Sequence, residues 1–216
     1  MVIVAGVEEA GRGPVIGPLV MAIVAVEESK LHLLEELGVK DSKLLSAKKR
    51  AFLFNEIKKI TKYKILITPP KVIDAALNSS DMNLNYLEAK ISVKLIKEFD
   101  YLNKVILDCP SNNTSSYKDY VASFLDKKIE LVVEHKADLN YVVVAAASIL
   151  AKHTRDVEIL KLKNLVGVDF GSGYPSDPKT INFLKENHDK YDFFRKSWKT
   201  YKNVLINKSQ ASLKKF

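Results

Sequence analysis

Acidic residues stand where three apolar segments of the sequence end. Glu8 and Glu9 close the first segment, Asp108 closes KVILD, and Asp138 lies just past IELVVEH. If these segments are adjacent strands of one sheet, their ends lie close together, where carboxylates repel one another unless a cation lies between them. Mg²⁺ and Mn²⁺ prefer such oxygen ligands. The pattern therefore predicts a divalent-metal site, and two ions about 4 Å apart can activate water for phosphodiester cleavage and stabilise the leaving oxygen.

Each of these acids also has a purely structural explanation. Asp and Glu are common at strand ends and at helix N-caps, and Asp138 alone would suit the cap of a helix that begins near Tyr141. The metal hypothesis rests on the recurrence of the same feature at the ends of three separate segments.

A glycine-rich turn follows the first pair of acids in GVEEAGRGPVIGP (6–18). Its spacing is G-x-G-x-x-x-G, which differs from the G-x-G-x-x-G of dinucleotide-binding folds, and Pro14 removes a backbone N–H donor. The sequence contains no G-x-x-x-x-G-K-[ST] phosphate loop and no evident Ser-His-Asp set. A nucleotide-cofactor enzyme is therefore disfavoured, and the turn needs another use.

The elements that must position these residues are indicated by hydrophobic periodicity and capping residues. Predicted strands lie at 2–7, 15–28, 63–68, 104–108 and 129–135. Predicted helices lie at 31–38, 46–60, 84–99, 141–166, 178–188 and 194–207. Strands alternate with helices after an adjacent pair of strands, so the fold class is predicted to be α/β, with a mixed β-sheet flanked by helices and a small C-terminal helical region.

Composition limits the class of protein further. The chain has 216 residues, 47% of them hydrophobic, which suffices for one core and a small appended region. No segment has the apolar length of a membrane helix, and no basic stretch precedes the short apolar run at the N-terminus, so neither a membrane nor a secreted protein is expected. Cys109 is the single cysteine, which fits a reducing cytoplasm.

Positive charge is concentrated near the C-terminus. The net charge is +8, and residues 179–216 hold ten Lys and Arg but only three acidic residues. Seven of the eight net charges therefore lie in this region. A basic module on a nearly neutral body indicates a polyanionic partner, most commonly nucleic acid. The alternative is a basic tail that only improves solubility.

Seven segments of the sequence resemble the motifs of the type 2 ribonuclease H (ribonuclease HII) family, especially its archaeal branch. They occur in the family's order: GVEEAGRGPVIGPLV (6–20), VKDSK (39–43), LDCPSNN (107–113), EHKAD (134–138), AASILAKHTRD (146–156), GSGYPSDPKT (171–180) and SWKT (197–200). The resemblance implies cleavage of RNA in RNA/DNA hybrids. It also implies cleavage 5′ to a ribonucleotide embedded in duplex DNA, with Mg²⁺ or Mn²⁺, leaving a 3′-hydroxyl and a 5′-phosphate.

The resemblance also implies the domains and the site residues. A ribonuclease H-like catalytic domain is expected at 1–178, a basic helical region at 179–207 and a flexible tail at 208–216. Metal ligands and catalytic residues are expected at Glu8, Glu9, Asp108 and Asp138, the acids selected above. Contacts with the nucleic acid are expected from Gly11, Arg12, Gly13, Lys43, Ser148, Lys152 and Tyr174. The Gly-Arg-Gly backbone is expected to approach the 2′-hydroxyl, and Tyr174 to stack on the next sugar.

Glu8 departs from the family pattern, in which the first acid is Asp. The longer side chain shifts the carboxylate by about one C–C bond, and Mg²⁺ tolerates distorted geometry poorly. Slower catalysis or a preference for Mn²⁺ is therefore expected. Two alternatives stay open: a hybrid-binding protein with a silenced site, and a structure-selective DNA nuclease that does not require a 2′-hydroxyl.

The C-terminal residues suggest a protein partner. Gln210, Leu213 and Phe216 have the spacing Q-x-x-L-x-x-F, which resembles the peptide that binds the sliding clamp PCNA. The alternative is a frayed tail that matches a short motif by chance. Arg195 and Ser197 are expected to pack in the C-terminal region or to touch the duplex, and Trp198 is expected to lie in a core.

Overall fold

The computed structural model describes residues 1–39, 45–125 and 128–213, and side chains as far as residue 207. The described residues form two compact units. Unit 1 comprises Met1–Ala10, Val20–Ile67 and Leu84–Thr154, whereas unit 2 comprises Gly11–Leu19, Thr68–Asn83 and the described residues from Arg155 onward. This division interleaves stretches of chain, and the regions expected at 1–178, 179–207 and 208–216 stay a prediction.

Unit 1 contains a mixed sheet of five strands among the described residues. The strands are β1 (Ile3–Ala10), β2 (Leu19–Glu27), β3 (Lys62–Thr68), β4 (Lys104–Asp108) and β5 (Glu130–Glu134). Their order is β3-β2-β1-β4-β5. The strand β1 pairs antiparallel with β2 and parallel with β4, and β4 pairs parallel with β5. The predicted mixed sheet with flanking helices is confirmed.

Helices connect and cover these strands. In the described part of the chain they are α1 (Leu31–Glu36), α2 (Ala47–Ile60), α3 (Pro70–Leu77), α4 (Leu84–Ile96), α5 (Thr114–Ala122), α6 (Ala137–Asn140), α7 (Val142–Val166), α8 (Pro178–Asn187) and α9 (Lys199–Leu213). No helix among these residues is both long and apolar enough to cross a membrane.

Capping residues explain several boundaries that the sequence predicted. The Ser46 hydroxyl accepts a hydrogen bond from the backbone N–H of Lys49 at 3.2 Å and begins α2. Asp177 caps α8 by accepting from the N–H of Lys179 at 3.0 Å, with Pro178 at the first helical position. These local signals depend only on neighbouring residues, so the sequence was sufficient to locate them.

Three helices of the described residues were missed, namely α3, α5 and α6, and both ends of the last helix were placed wrongly. Pro69 and Pro70 directly follow the predicted strand 63–68, and Pro70 begins α3, because proline suits the first turn of a helix. The helix α5 also went unpredicted, although the Asn113 side chain caps it through the N–H of Ser116. The last helix begins at Lys199 rather than near 194 and continues to Leu213, past the predicted end at 207.

The core of unit 1 lies between the sheet and the first half of α7. This half begins with the run VVVAAASILA, in which the side chains of residues 143–151 are buried. Gly6 of β1 lets the helix approach closely, since a Cβ atom there would lie 2.5 Å from the backbone carbonyl carbon of Val143 and from the nitrogen of Val144. The strand that carries Glu8 and Glu9 is therefore held directly against the backbone of α7.

Unit 2 has its own core, which is rich in aromatic residues. Its buried members are Val15, Ile16, Ile159, Phe170, Phe183, Leu184, Phe193, Phe194, Tyr201 and Val204. Trp198 is partly buried against this cluster, which agrees with its predicted place in a core. The segment that follows β1 is held in the unit by backbone hydrogen bonds, from Val15 N–H to the Gly173 carbonyl at 2.9 Å and from Gly17 N–H to the Phe193 carbonyl at 3.0 Å.

Candidate active site

The first two acids lie within β1 rather than beyond its end. The strand continues to Ala10, so the predicted end at residue 7 is wrong. Pairing with β2 carries the strand past the acids, since Glu8 lies opposite Ala22 and Glu9 opposite Met21. The parallel pairing with β4 ends where Val7 faces Leu107, so the next residues along the two strands are Glu8 and Asp108.

The position of Asp108 is set by β4 and by the chain that follows β5. Asp108 is the last residue of β4 and faces Glu134 of β5. Its Oδ1 atom accepts a hydrogen bond from the backbone N–H of Ala137 at 2.7 Å. This bond holds one oxygen of Asp108 at the first residue of α6 and restricts the rotation of the carboxylate.

Three carboxylates converge at this end of the sheet. Glu8, Glu9 and Asp108 each have an oxygen that lies within 4.8 Å of the other two, with Glu8 buried and the others half-buried. Three like charges at this distance repel strongly in partly desolvated surroundings. Hard oxygen donors in this number and spacing fit a divalent cation such as Mg²⁺ or Mn²⁺.

Asp138 lies nearby in the fold but is not a member of this group of three. It is buried at the second residue of α6, directly after Ala137, whose N–H binds Asp108. Lys136, which precedes this helix, has φ of 57° and is the one non-glycine residue with positive φ in the described part of the chain. Left-handed backbone is uncommon outside glycine, so the turn that presents Asp138 is held by its surroundings.

Buried polar side chains of α4 and α5 lie in the same unit as the three carboxylates. Burial raises the pKa of the Tyr117 hydroxyl, and Coulomb interactions with Glu88 and Glu9 raise that pKa further. Glu88 and Ser92 are one turn apart on α4 and fully buried. Glu88 therefore places a buried carboxyl group in the same part of unit 1 as Glu9.

Ser148 and Lys152 lie one turn apart on α7, as the sequence predicted. Ser148 is only 4% exposed, whereas Lys152 is half-buried. A half-buried lysine commonly packs its stem and directs its ammonium group towards solvent, which is compatible with the contact to phosphate expected from Lys152. The near-complete burial of Ser148 leaves little surface for a ligand.

The glycine-rich turn lies in unit 2, and its conformation requires glycine. Gly11 has φ of +82°, and a Cβ atom there would lie 2.7 Å from the Pro18 carbonyl oxygen and 2.9 Å from Cδ of Arg155. A Cβ atom on Gly13 would lie 3.5 Å from Cε1 of Tyr174. The structure therefore brings Gly13 and Tyr174 together, although they are far apart in the sequence.

Arg155 holds Tyr174 beside this turn, a role that the sequence did not reveal. Its Cζ atom lies 5.0 Å from the centre of the Tyr174 ring, and its Nη2 atom donates to the Ser172 carbonyl at 2.8 Å. Burial lowers the pKa of the Arg155 guanidinium. Arg155 falls within the predicted helix 141–166, but nothing in the sequence indicated a contact with Tyr174.

The loop that carries Tyr174 is stabilised at both ends. The Asp177 carboxylate accepts from the Ser172 N–H at 2.7 Å, and the Thr180 hydroxyl accepts from the Gly173 N–H at 2.9 Å. Hydrogen bonds from Lys163 and Lys179 lower the pKa of Asp169 at the start of the loop. These bonds fix the backbone on either side of the tyrosine.

Four of the predicted binding residues lie where the structure describes no side chain. Lys43 and Phe216 lie outside the described residues. Gln210 and Leu213 belong to α9, in a part whose side chains are not described. Their predicted roles remain predictions.

A mixed sheet with carboxylates converging from two adjacent parallel strands defines an enzyme class, the divalent-metal nucleases with a ribonuclease H-like fold. The family model described as Ribonuclease HII matches residues 5–201. Ribonuclease HII of Methanococcus maripaludis strain C6 is 45% identical over 209 residues, covering 94% of this chain and 87% of the relative. Ribonuclease HII of Pyrococcus abyssi is 44% identical over 216 residues, covering 97% and 94%.

Solved structures of ribonucleases from archaea are also similar to this chain. The ribonuclease H2 from Pyrococcus horikoshii OT3 has a TM-score of 0.84 at 39% identity, covering 94% of this chain and 96% of that one. The Archaeoglobus fulgidus structure of a PCNA:RNase HII complex also gives 0.84, at 38% identity, covering 93% and 96%. The chain belongs to the ribonuclease HII family, as its motifs predicted. It is therefore a metal-dependent ribonuclease H endonuclease that acts on RNA/DNA hybrids.

Proposed function

We propose that this protein cleaves the phosphodiester 5′ to a ribonucleotide embedded in duplex DNA, in addition to RNA in hybrids, and leaves a 3′-hydroxyl and a 5′-phosphate. The observation that carries the proposal is the convergence of oxygens from Glu8, Glu9 and Asp108 within 4.8 Å. Such a site suits phosphodiester hydrolysis, which needs positive charge at the attacking and leaving oxygens. The proposed role is removal of ribonucleotides during DNA replication and repair.

Glu8, Glu9, Asp108 and Asp138 are proposed to hold two divalent ions. Bound ions of this kind lower the pKa of water and stabilise the charge of the leaving group. The bond from Ala137 to Asp108 keeps one carboxylate oriented, and Asp138 is buried at the next residue of the same helix. The chain contributes fixed ligands whose mutual repulsion is relieved when cations bind.

The Gly11–Gly13 turn is proposed to recognise the 2′-hydroxyl. Glycine at positions 11 and 13 leaves the backbone open to close approach, and a 2′-hydroxyl distinguishes RNA from DNA. Tyr174 lies against Gly13, which supports its proposed stacking on the neighbouring sugar. Lys152 and Lys43 are proposed to contact the nucleic-acid backbone, together with the basic C-terminal region, whereas a contact from Ser148 would have to use the 4% of its surface that is exposed.

The defining experiment uses a 5′-labelled DNA duplex that contains one ribonucleotide. We expect cutting only on the 5′ side of that ribonucleotide, in Mg²⁺ or Mn²⁺ and not in EDTA, because the acidic residues alone cannot activate water. Gel electrophoresis against a size ladder identifies the position of the cut. An RNA/DNA hybrid of the same sequence serves as the positive control for the family activity.

The control substrate is the same duplex made entirely of DNA. Cutting of that duplex at a similar rate would contradict recognition of the 2′-hydroxyl and would favour a structure-selective DNA nuclease. Binding without cutting in either metal would instead indicate a silenced site.

Replacing Glu8 by aspartate tests the departure from the family pattern. We expect Glu8→Asp to raise kcat/KM in Mg²⁺ by about tenfold, with a smaller change in Mn²⁺, because Mg²⁺ depends more strongly on ideal ligand geometry. Steady-state cleavage of the duplex with one ribonucleotide measures both values. The matched variant Glu9→Asp makes the same change at the next residue and should lower the Mg²⁺ rate. A lower rate for Glu8→Asp in both metals would mean that the site requires the longer side chain.

A sliding clamp is the proposed protein partner. The Archaeoglobus fulgidus relative was solved as a complex with PCNA, and residues 210–216 of this chain have the spacing Q-x-x-L-x-x-F. Clamp binding would hold the enzyme near newly replicated DNA. A cytoplasmic location is proposed as well, since Cys109 is the single cysteine of the sequence and cannot form a disulfide within the chain.

A further inference from the structure

The carbonyl groups of the Gly11–Gly13 turn are held from a segment near the other end of the chain. Arg195 is fully buried, and its guanidinium donates to the carbonyl oxygens of Gly11 at 2.6 Å, Arg12 at 2.9 Å and Gly17 at 2.9 Å. The indole Nε1 of Trp198 donates to the carbonyl of Gly13 at 3.2 Å. All three carbonyls of the turn are thus bound by two side chains.

The two side chains also hold each other. The Cζ atom of Arg195 lies 4.7 Å from the centre of the Trp198 ring, a cation–π contact that orients the guanidinium. A guanidinium has donors in a rigid planar fork, so binding three carbonyls at once restricts the orientation of the peptide groups. A flexible donor such as lysine would not impose the same restriction.

The segment 195–198 is itself anchored by Asp74 of α3. The Asp74 carboxylate accepts from the N–H groups of Lys196 at 2.8 Å and Ser197 at 2.9 Å, and from the Ser197 hydroxyl. The Arg195 N–H donates to the Val15 carbonyl at 2.8 Å. The segment that carries the donors is therefore itself fixed, by hydrogen bonds to Asp74 and Val15. The turn is thus held in its conformation within unit 2.

We infer that Arg195 and Trp198 are positioning residues that set ribonucleotide specificity by fixing the peptide groups of the Gly11–Gly13 turn. The inference rests on the proposed function, in which this turn recognises the 2′-hydroxyl. A recognition site must be held within about 0.5 Å of its productive geometry, and a turn with two glycines has little rigidity of its own. The rigidity is supplied by the donors from residues 195 and 198.

Trp198→Phe is the sharpest test, because it removes the indole N–H and keeps an aromatic ring beside Arg195, although the smaller ring also loses part of the packing of Trp198. Substitution of Arg195 would remove the hydrogen-bond donor of three backbone carbonyls and is expected to destabilise the fold. The substrates are a duplex with one ribonucleotide and a duplex with four consecutive ribonucleotides. The quantities measured are kcat, KM and the distribution of cutting positions.

We expect Trp198→Phe to lower kcat on the single ribonucleotide by about fivefold, which corresponds to the loss of one hydrogen bond of roughly 1 kcal/mol. KM should stay within about twofold, since phosphate contacts dominate affinity for nucleic acid. Cutting within the stretch of four ribonucleotides should become less confined to one position. These changes report on the geometry of the turn and not on stability.

Tyr201→Phe is the matched control. It removes one buried hydrogen bond in the same unit, from the Tyr201 hydroxyl to the His188 carbonyl at 3.0 Å, without touching the turn. Its Tm should fall, with kcat and the cutting positions unchanged. If Trp198→Phe behaves like this control, the contact is only structural and the inference is overturned. If the unmodified protein leaves the single ribonucleotide uncut while cutting the RNA/DNA hybrid, the proposed function fails first, and the inference fails with it.

Discussion

Asp108→Asn is expected to lower kcat/KM for cleavage by at least about 100-fold in either metal. Loss of an outer-shell partner of a metal ligand already costs about 10- to 100-fold, and this change removes the charge of a ligand itself. The measurement is steady-state cleavage of the duplex with one ribonucleotide, with the metal concentration varied. Excess Mn²⁺ should restore only part of the rate, because one of the three converging carboxylates is gone.

The fold should survive this substitution. Asparagine keeps the oxygen that accepts the bond from the Ala137 N–H, and one of three repelling charges is removed. We therefore expect the metal-free variant to have a Tm equal to or above that of the unmodified protein. Retained binding of the duplex in EDTA would separate loss of chemistry from loss of recognition.

Asp119→Asn is the matched control, since Asp119 is an exposed aspartate of α5 in the same unit. It should leave cleavage within about twofold, as expected for a surface substitution away from any site. An Asp108→Asn protein that cuts nearly as fast as this control would remove Asp108 from the metal site.

Gly6→Ala is expected to destabilise the protein by about 3 kcal/mol or more. The added Cβ atom would lie 2.5 Å from backbone atoms of Val143 and Val144, which cannot move aside as a flexible side chain can. The helix α7 must shift away from β1, which opens the core of unit 1. For a chain of this size the Tm should fall by roughly 6–12 °C, measured by circular dichroism or calorimetry.

Gly38→Ala separates crowding from backbone strain. Gly38 has φ of +73°, and a Cβ atom added there would meet none of the residues that the structure describes within 4 Å, apart from its chain neighbours. Alanine at this position therefore meets only the cost of left-handed backbone, about 1 kcal/mol. Equal losses for the two variants would contradict the close contact between β1 and α7. Cleavage should also fall in Gly6→Ala, because Glu8 and Glu9 lie two and three residues further along the same strand.

Local patterns in the sequence were sufficient for much of the fold. The strand KVILD was predicted with its observed bounds, and the cap at Ser46 located the start of α2. The mixed sheet followed from the order of strands and helices. Two failures had different causes. No helix was predicted after the strand 63–68, although Pro70 begins one. The end of β1 was predicted at residue 7, before Glu8 and Glu9, because the pairing of β1 with β2 is not visible in the sequence.

The sequence also predicted most of the acidic residues that form the site. The recurrence of acids at the ends of apolar segments selected Glu8, Glu9 and Asp108, and the structure brings these three together. Asp138 was selected by the same rule, yet it lies outside the group of three. Residue type and strand order define which carboxylates converge, but the distances depend on register and on the path of the chain after each strand.

The sequence by itself determined which residue types could form the site, where most helices and strands begin and end, and that the chain belongs to the ribonuclease HII family. Only the tertiary structure decided how the Gly11–Gly13 turn is held, since its donors at Arg195 and Trp198 lie 184 and 185 positions away from their acceptors Gly11 and Gly13. The same holds for the contact of Tyr174 with Gly13 and Arg155. Propensities and caps act over a few neighbouring residues, whereas such contacts arise only when the whole chain packs and buried polar groups must find partners.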